Sequence, residues 1–446
     1  MRKATLLLAI LPGALAAQTA PAIRLINAAD ASTKPVFGLV TAVRQLPNGS
    51  LLVNDVLKRQ LTMLDASLAN PVLVADSISG GANSYGTRPG GLIPYLADST
   101  LFVDPVGLSM FVLDGKGAIA RVASVPRSQD APAFTQGAPA LDAKGRIVYS
   151  GGRGGMRISA SSRPNNGAAN NGPMIAFPDQ PDTMAIVRID PASRKLDTAG
   201  FYKIPKTKVN MTNVDGRMSI TTEINPMPII DDWAVLSDGS IAIVRGRDYH
   251  VDWVNGDGST TATPKLPFDW QRLSDEDKIA VIDSAKAAME KMRAAMGNMS
   301  PEKAMVEGMR GGAAGGGPPV MIMSFSTSDG GGGGGRGATA SAGAGGPQLQ
   351  FVSPSELPDY RPPFTSGAAR GDLDGNLWVR TTATRAGAVA AGPIYDVINR
   401  KGEVTDRIQL PAGRSIIGFG KGGVVYMLAR DEKGSWLEKT RVGPRM

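Results

Sequence analysis

The chain contains no cysteine and only one histidine among its 446 residues. The absence of cysteine excludes disulfide bonds, thiolate metal sites, a cysteine nucleophile and a lipid-modified N-terminal cysteine. Because His250 stands alone, any site that needs two imidazole groups is excluded, including the common zinc sites built from three histidines. A chain of this length can nevertheless be stabilised without cross-links, since it can bury a large core.

Long hydrophobic runs and runs of one charge are also scarce. The formal net charge is +8, yet the basic residues are spread among acidic ones and form no cluster of the kind that binds nucleic acid. One apolar stretch, Ala4–Leu11, follows Arg2 and Lys3 and precedes the small-residue run Ala14–Ala17, a pattern typical of a secretory signal peptide over residues 1–17. No other stretch is long and apolar enough to span a membrane. We therefore expect an exported protein, periplasmic or extracellular, that is not a lipoprotein and binds no nucleic acid.

A short phrase recurs along the chain: an apolar run, a turn rich in Asp, Asn or Gly, and a second apolar run. These turn residues suit tight hairpins because they tolerate a positive φ or bond to their own backbone. Turns of this kind precede β-rich runs at 47–49, 97–99, 142–145, 237–239, 373–375 and 421–423. A second series of turns ends apolar runs at 113–117, 189–193, 254–258 and 398–402. Two hairpins per unit predict four-stranded antiparallel blades, which is the pattern of a β-propeller.

The number of repeated units predicts an all-β, six-bladed β-propeller, or one of five or seven blades if a weak unit is misread. The last unit is one strand short, because the chain ends soon after residues 435–439, and a spare strand is predicted at Ile23–Ile26. If this N-terminal strand completes the last blade, the ring closes and an exposed sheet edge is removed. The repeated phrase resembles the six-bladed propellers of the NHL and TolB-like kind, most of all a group of exported bacterial proteins. This resemblance implies the architecture and no particular activity.

Two segments interrupt the repeat. Residues 150–182, rich in Gly and Asn, follow the second strand of the third unit, and residues 269–367 lie between the fourth and fifth units. The second insertion opens with a predicted helix that has Ser274 as its N-cap, and its glycine tracts predict disorder over most of residues 308–347. The helix carries an apolar stripe at helical spacing, formed by Ile282, Ala285, Met289, Met292 and Met296.

The predicted domain organisation is a propeller interrupted by the second insertion. Residues 22–268 hold the closing strand and the first four blades, and residues 368–446 hold the last two. In a four-stranded blade, the loop after the second strand and the link to the next blade open on the same face of the ring. Both insertions therefore mark one face, and we expect ligand binding there because loops carry function disproportionately. The alternative is that both insertions are surface loops without a function, which a protein tolerates because added loop length costs little free energy.

Charged residues just beyond the second strands are predicted near the mouth of the channel. The residues predicted to bind a ligand are Arg245, Arg247, Asp248, His250, Arg380 and Arg430. Converging guanidinium groups could hold a carboxylate or phosphate, whereas in a structural role each arginine would pair with an Asp or a loop carbonyl. The histidine could be a lone general base oriented by Asp248 or Asp252, or a polar residue on a strand face, and no nucleophile motif accompanies it.

Metal binding is an alternative interpretation. Gluconolactonase-type relatives of the predicted fold bind a divalent cation through Glu, Asn and Asp, and this resemblance implies Asn54, Asp55 and Asp104 as candidates, with no matching Glu. The methionines from Met289 to Met299 could bind Cu(I) or pack the helix onto the propeller.

The leading functional hypothesis is a non-enzymatic, exported binding module for a small anionic ligand or a protein partner, with no cofactor predicted. The alternatives are a metal-dependent hydrolase of the lactonase or esterase type, and Met-mediated metal binding by the insertion.

Overall fold

The computed structural model describes most of the chain outside the two predicted low-complexity regions. The described residues are 18–34, 37–78, 80–81, 83–88, 90–152, 181–206, 208–214, 217–297, 348–382, 391–431 and 434–443. The predicted signal peptide, nearly all of the first insertion and the predicted disordered tract lie outside these ranges. The same holds for Met299 and the side chains of Met292 and Met296, so the copper hypothesis stays a prediction.

The described chain is mostly β-structure. It begins with two short strands, β1 (Ile23–Leu25) and β2 (Ala31–Ser32). The first sheet follows, with strands β3 (Val40–Gln45), β4 (Leu51–Asp55), β5 (Gln60–Leu64) and β6 (Val72–Asp76). The second sheet contains β7 (Gly91–Pro94), β8 (Thr100–Asp104), β9 (Ser109–Leu113) and β10 (Ile119–Ser124). The third contains β11 (Ala140–Leu141), β12 (Ile147–Ser150), β13 (Thr183–Ile189) and β14 (Leu196–Lys203).

A hairpin of β15 (Lys208–Val214) and β16 (Arg217–Ile224) separates the third sheet from the fourth. The fourth sheet contains β17 (Asp232–Val235), β18 (Ile241–Arg245), β19 (His250–Val254) and β20 (Thr260–Ala262). Helix α1 (Asp275–Gly297) and strand β21 (Gln348–Phe351) come next. The fifth sheet contains β22 (Phe364–Gly371), β23 (Leu377–Thr381), β24 (Ile394–Ile398) and β25 (Val404–Gln409). The sixth contains β26 (Arg414–Gly420), β27 (Val424–Asp431) and β28 (Gly434–Arg441). Short 3-10 helices span Ser128–Asp130, Ala133–Thr135 and Pro354–Glu356.

Every turn predicted from the recurring phrase lies between two paired antiparallel strands. The turn residues act as expected, because their side chains bond to nearby backbone groups. Asp142 Oδ1 accepts from the backbone N–H of Lys144 at 2.9 Å, and Asp372 Oδ1 accepts from that of Asp374 at 2.9 Å. The predicted hairpins are therefore confirmed.

Neighbouring sheets contact each other through their first strands. Strand β3 contacts β7, β7 contacts β11, β17 contacts β22, and β26 contacts β3. Arg44 of the first sheet donates to Thr100 Oγ1 of the second at 2.7 Å, and Gln45 Nε2 donates to the hydroxyl of Tyr426 in the sixth at 3.0 Å. The first sheet thus adjoins both the second and the last. The described residues form seven sheets, most of them with four antiparallel strands, which is consistent with an all-β propeller.

The N-terminal segment completes the last sheet, but with a different strand from the one predicted. Strand β2 pairs antiparallel with β28 and supplies the fourth strand of the sixth sheet. The predicted closing strand was wrong, because Ile23–Leu25 pairs in parallel with β25 and extends the fifth sheet. An ion pair between Arg24 Nη2 and Asp406 Oδ2 at 2.5 Å fixes this segment on β25. The sequence of a short strand does not specify which of two neighbouring sheet edges it will join.

A small seventh sheet was not predicted. Strand β16 pairs with β15 on one side and in parallel with β21 on the other. The hairpin lies between the third and fourth sheets, whereas β21 comes from the second predicted insertion. Two separate excursions of the chain therefore share one sheet, and we refer to β15, β16, β21 and α1 as the cap.

Helix α1 begins as predicted. The backbone N–H of Asp277 donates to Ser274 Oγ at 3.2 Å, and that of Ser274 donates to Asp277 Oδ2 at 2.9 Å, which is a reciprocal cap. Ile282 of the apolar stripe is buried against Leu273, Met227, Val352 and Leu357. Within the described ranges, no helix combines the length and apolar character needed to cross a membrane.

Candidate functional site at the insertion-bearing face

The cap and the predicted charged residues lie at the same end of the sheets. Turns between first and second strands meet at the opposite end, where the backbone N–H of Gly422 donates to Asp374 Oδ1 of the neighbouring sheet at 3.0 Å. Because the strands alternate in direction, the loops after the second strands and the links between sheets lie at the other end. The described residues within 151–182, 205–231 and 263–363 belong to that end, which we call the insertion-bearing face.

Arg245, at the end of β18, is held by protein acceptors. Its Nε donates to Asp252 Oδ2 at 2.7 Å, and its Nη1 donates to Asp231 Oδ2 at 2.7 Å and to the carbonyl of Phe201 at 3.0 Å. Burial lowers the pKa of Arg245, but the two carboxylates outweigh it, so the pKa is raised. These contacts join the third and fourth sheets and favour the structural interpretation of this arginine.

His250 lies between two carboxylates of the same sheet. Its Nδ1 is 2.7 Å from Asp248 Oδ1, and its Nε2 is 3.3 Å from Asp252 Oδ1. Because Asp252 also binds Arg245, the five residues Asp231, Arg245, Asp248, His250 and Asp252 form one chain of contacts, the Arg245 network. A general base needs a ring nitrogen that reaches the substrate, whereas both nitrogens here face carboxylates. This geometry favours a structural role for the histidine.

Replacing Arg245 with glutamine is expected to destabilise the protein by about 2–3 kcal/mol, because Asp231 and Asp252 would lose their cationic partner in a partly buried site. Arg247, two residues away, provides a matched control. It is exposed and has no ion-pair partner among the described residues, so Arg247→Gln should change stability by less than about 0.5 kcal/mol. Urea unfolding of both variants checks the difference, and equal effects would contradict the assigned role.

The other predicted arginines are not part of this network. Arg430, on β27, donates its Nε to Ser435 Oγ at 3.2 Å across its own hairpin. Arg380, on β23, makes no hydrogen bond or ion pair with any residue that the structure describes. The predicted set therefore lies on the fourth, fifth and sixth sheets. Of its members, only Arg245, Asp248 and His250 are joined by contacts of the Arg245 network.

Arg380 has a neighbour that was not predicted from the sequence. Arg370 on β22 pairs directly with Trp378 on β23, and Arg380 lies two residues farther along β23. Directly opposed residues and residues two apart on one strand share a face of the sheet, and such diagonal neighbours are within reach of long side chains. Both arginines therefore lie on the face of the fifth sheet that also carries Trp378 and Tyr395. Counting back across the predicted turn 373–375 could have revealed this pairing.

The two arginines, which we call the paired arginines, influence each other electrostatically. Burial lowers the pKa of Arg370, and the positive charge of Arg380 lowers it further, while Tyr395 and Asp232 act in the opposite direction. Neither guanidinium group makes a hydrogen bond or ion pair within the described ranges.

Asp232 lies at the junction of the fourth and fifth sheets. Its Oδ2 accepts from the backbone N–H of Ala369 at 3.0 Å, and its Oδ1 accepts from that of Trp233 at 2.9 Å. Burial raises its pKa to about 6, although these hydrogen bonds and the charge of Arg370 oppose the shift. Asp231 and Asp232 are adjacent in sequence but bind different sheets. Asp231 binds Arg245 of the fourth sheet, and Asp232 binds the backbone of β22 in the fifth.

This raised pKa predicts a pH dependence of stability. A carboxyl group with a folded-state pKa near 6, above its ordinary value of 3.8, stabilises the fold at low pH and loses that contribution as pH rises through 6. The full shift corresponds to a loss of at most about 3 kcal/mol between roughly pH 4 and pH 7. The difference in urea-unfolding free energy between wild type and Asp232→Asn, measured across this range, should follow this titration. Parallel curves for the two proteins would contradict it.

The metal candidates are engaged in backbone contacts. Asp55 accepts from Gly38 N at 2.8 Å and Leu39 N at 3.0 Å, and Asp104 accepts from Gly86 N at 3.0 Å and from Val106 N at 3.0 Å. These bonds use both oxygens of each carboxylate. They shape the loops around the second strands, which does not fit a site that presents free carboxylates to a divalent cation.

Asn54 behaves differently from the two aspartates. Its Nδ2 donates to the carbonyl of Gly90 at 2.9 Å, whereas its buried Oδ1 has no hydrogen-bond partner. Among the described residues, no group of three His, Cys, Asp or Glu side chains has the geometry to hold a metal ion.

No protein-family model matches the chain, and no curated protein matches it. Similar solved structures include a gluconolactonase from Xanthomonas campestris, at 9% identity over 95% of this chain and 99% of that chain, with a TM-score of 0.37. Virginiamycin B lyase from Staphylococcus aureus has 9% identity over 92% of this chain and 85% of that chain, with a TM-score of 0.32. A Bacteroides fragilis protein described as exported has 8% identity over 96% of both chains, with a TM-score of 0.38. At these values the similarities assign neither an activity nor a ligand to the chain.

Proposed function

We propose that the protein is an exported six-bladed β-propeller of the NHL or TolB-like kind that acts as a binding module through its insertion-bearing face. The first to sixth sheets would be the blades, with residues 22–268 and 368–446 forming the propeller and residues 269–367 the main insertion. The contacts between the first and sixth sheets support a closed ring of this size. The export signal would lie in residues 1–17.

The observation that carries this proposal is the cap. Two excursions far apart in sequence are joined by the pairing of β16 with β21, and they share a small core around Ile282. We would not expect an insertion without a function to form an ordered sheet and core, since ordering residues costs conformational entropy. The chain runs from the cap directly into β17 and β22, the strands that carry Asp232 and Arg370, so the cap would lie near the ends of the fourth and fifth sheets.

Aromatic side chains connect the fourth sheet with the segments that flank the cap. Tyr249 packs edge-on against Phe268 at 5.7 Å, Phe268 against Trp270 at 5.3 Å, and Trp270 against Tyr360 at 6.5 Å. The last two are 37% and 47% exposed. Partly exposed aromatic residues are typical of binding surfaces, because they offer a large apolar contact area together with a polar group.

A blocking experiment tests which face binds. The chain has no cysteine, so single cysteines at Arg247 on the insertion-bearing face and at Lys144 in an exposed turn at the opposite end can be coupled selectively to a polymer maleimide. Compounds that raise the melting temperature of the wild type in a metabolite screen supply the ligand. We expect the Arg247→Cys conjugate to lose the response and the Lys144→Cys conjugate to keep it. The reverse pattern, or a wild type that responds to no compound, would refute the proposal.

A further inference from the structure

We propose that the paired arginines form a binding site for an oxyanion, the carboxylate or phosphoryl group of a small molecule. This inference rests on the proposed binding function and names the chemistry of its ligand. It concerns Arg370 and Arg380, of which only Arg380 was predicted from the sequence.

The geometry provides two guanidinium groups on one face of one sheet. Arg370 pairs with Trp378 on the adjacent strand, and Arg380 is the diagonal neighbour of Arg370. The backbone under both is fixed by the β22–β23 and β23–β24 ladders, where Arg380 pairs with Tyr395. Each guanidinium presents its donors in a rigid planar fork, so two of them together can hold an oxyanion through several charge-assisted hydrogen bonds.

The electrostatics of the pair call for a negative partner from outside the described chain. Two like charges close together repel, and a partly buried cation without a hydrogen-bonded partner costs free energy. Most other partly buried arginines among the described residues have such partners, with Arg59 as a further exception. Arg245 binds Asp231 and Asp252, and Arg146 binds Asp142 at 2.6 Å. The paired arginines differ from Arg59 because two unpartnered guanidinium groups lie on one face of the same sheet, as expected for groups that bind a ligand together.

Asp232 does not supply the missing partner. Its carboxylate oxygens accept from the backbone N–H groups of Ala369 and Trp233, and it forms no ion pair with Arg370. The carboxylate therefore contributes only a longer-range attraction.

The experiment measures binding of two probes, inorganic phosphate and malonate, by calorimetry at constant ionic strength. The proteins compared are the wild type, Arg370→Gln, Arg380→Gln and a control, Arg121→Gln, which removes one exposed arginine from the outer strand of the second sheet. We expect at least one probe to bind the wild type, with affinity lowered about tenfold or more in both site variants and changed less than about twofold in the control. The preferred probe identifies a phosphoryl or a carboxylate group as the ligand's anion.

Melting temperatures provide a second readout that separates lost binding from lost folding. Without a probe, Arg380→Gln should melt at or above the wild-type temperature, because an unpartnered cation has been removed, while the probe should no longer raise it. Arg380→Lys keeps the positive charge but lacks the planar guanidinium group, so it should recover only part of the affinity that Arg380→Gln loses.

The inference is overturned if neither probe binds the wild type, or if the site variants bind as the wild type does. Either result leaves the face-blocking experiment unaffected, because that experiment uses ligands from an unbiased screen. If the blocking experiment fails while the paired arginines bind a probe, only the assignment of ligand binding to the insertion-bearing face is refuted.

Discussion

Replacing Gly239 with alanine should destabilise the protein by about 4 kcal/mol or more, which places it among the most damaging single substitutions. Gly239 lies in the turn between β17 and β18 with a φ of +79°, and a Cβ there would be 2.0 Å from the backbone nitrogen of Ala143 in the third sheet. Backbone cannot give way as a flexible side chain can, so the two sheets would have to separate. Urea unfolding measures the loss.

Gly258 provides the matched control. It lies in the turn between β19 and β20 with a φ of +93°, but a Cβ there would have no neighbour within 4 Å. Gly258→Ala should therefore cost only the strain of a left-handed backbone, about 1–2 kcal/mol. Similar losses for the two variants would show that the contact between the third and fourth sheets is not as tight as the structure indicates.

Replacing Asp396 with alanine is expected to cost about 4 kcal/mol, because its partners would be left without an acceptor. Asp396, on β24, is 1% exposed. It accepts from the hydroxyl of Tyr249 at 2.8 Å and from Arg407 Nε at 3.0 Å. Burial raises the pKa of this carboxyl, while Arg407 and the Tyr249 hydroxyl counteract the shift. The bond to Tyr249 joins the fourth and fifth sheets beneath the insertion-bearing face.

Tyr249→Phe is the graded comparison. It removes one hydrogen bond and leaves the charged pair of Asp396 and Arg407 intact, so the expected loss is about 1–2 kcal/mol. Denaturant unfolding of both variants should rank Asp396→Ala as the more damaging. The opposite order would mean that the tyrosine hydroxyl, rather than the carboxylate, organises this junction.

The local structure could be predicted because its signals lie within short stretches of chain. A turn such as 237–239 is stabilised by its own residues, since Asp238 accepts from the backbone N–H of Ser240 at 2.9 Å and glycine adopts a positive φ without strain. The cap of α1 was predictable for the same reason, as Ser274 and Asp277 are three residues apart.

The candidate site could be predicted only in part. Arg380 was identified from its position after a second strand, whereas Arg370 was missed because its importance comes from pairing across β22 and β23. Arg245 and His250 were also identified by position, but sequence could not reveal that their partners would be Asp231 and Asp252. Whether an arginine is satisfied or available depends on residues that folding brings to it from other sheets.

The sequence by itself determined the repeated hairpins, the two segments that interrupt them and the start of the helix, because each depends on hydrogen bonds and backbone preferences spanning a few residues. Only the tertiary structure decided which edge each N-terminal strand joins, that β16 and β21 meet in the cap, and which arginines lack a partner. These features depend on contacts between residues up to hundreds of positions apart, such as Arg24 with Asp406. Their free energy is gained only when the sheets have packed together, so no local stretch of sequence encodes them.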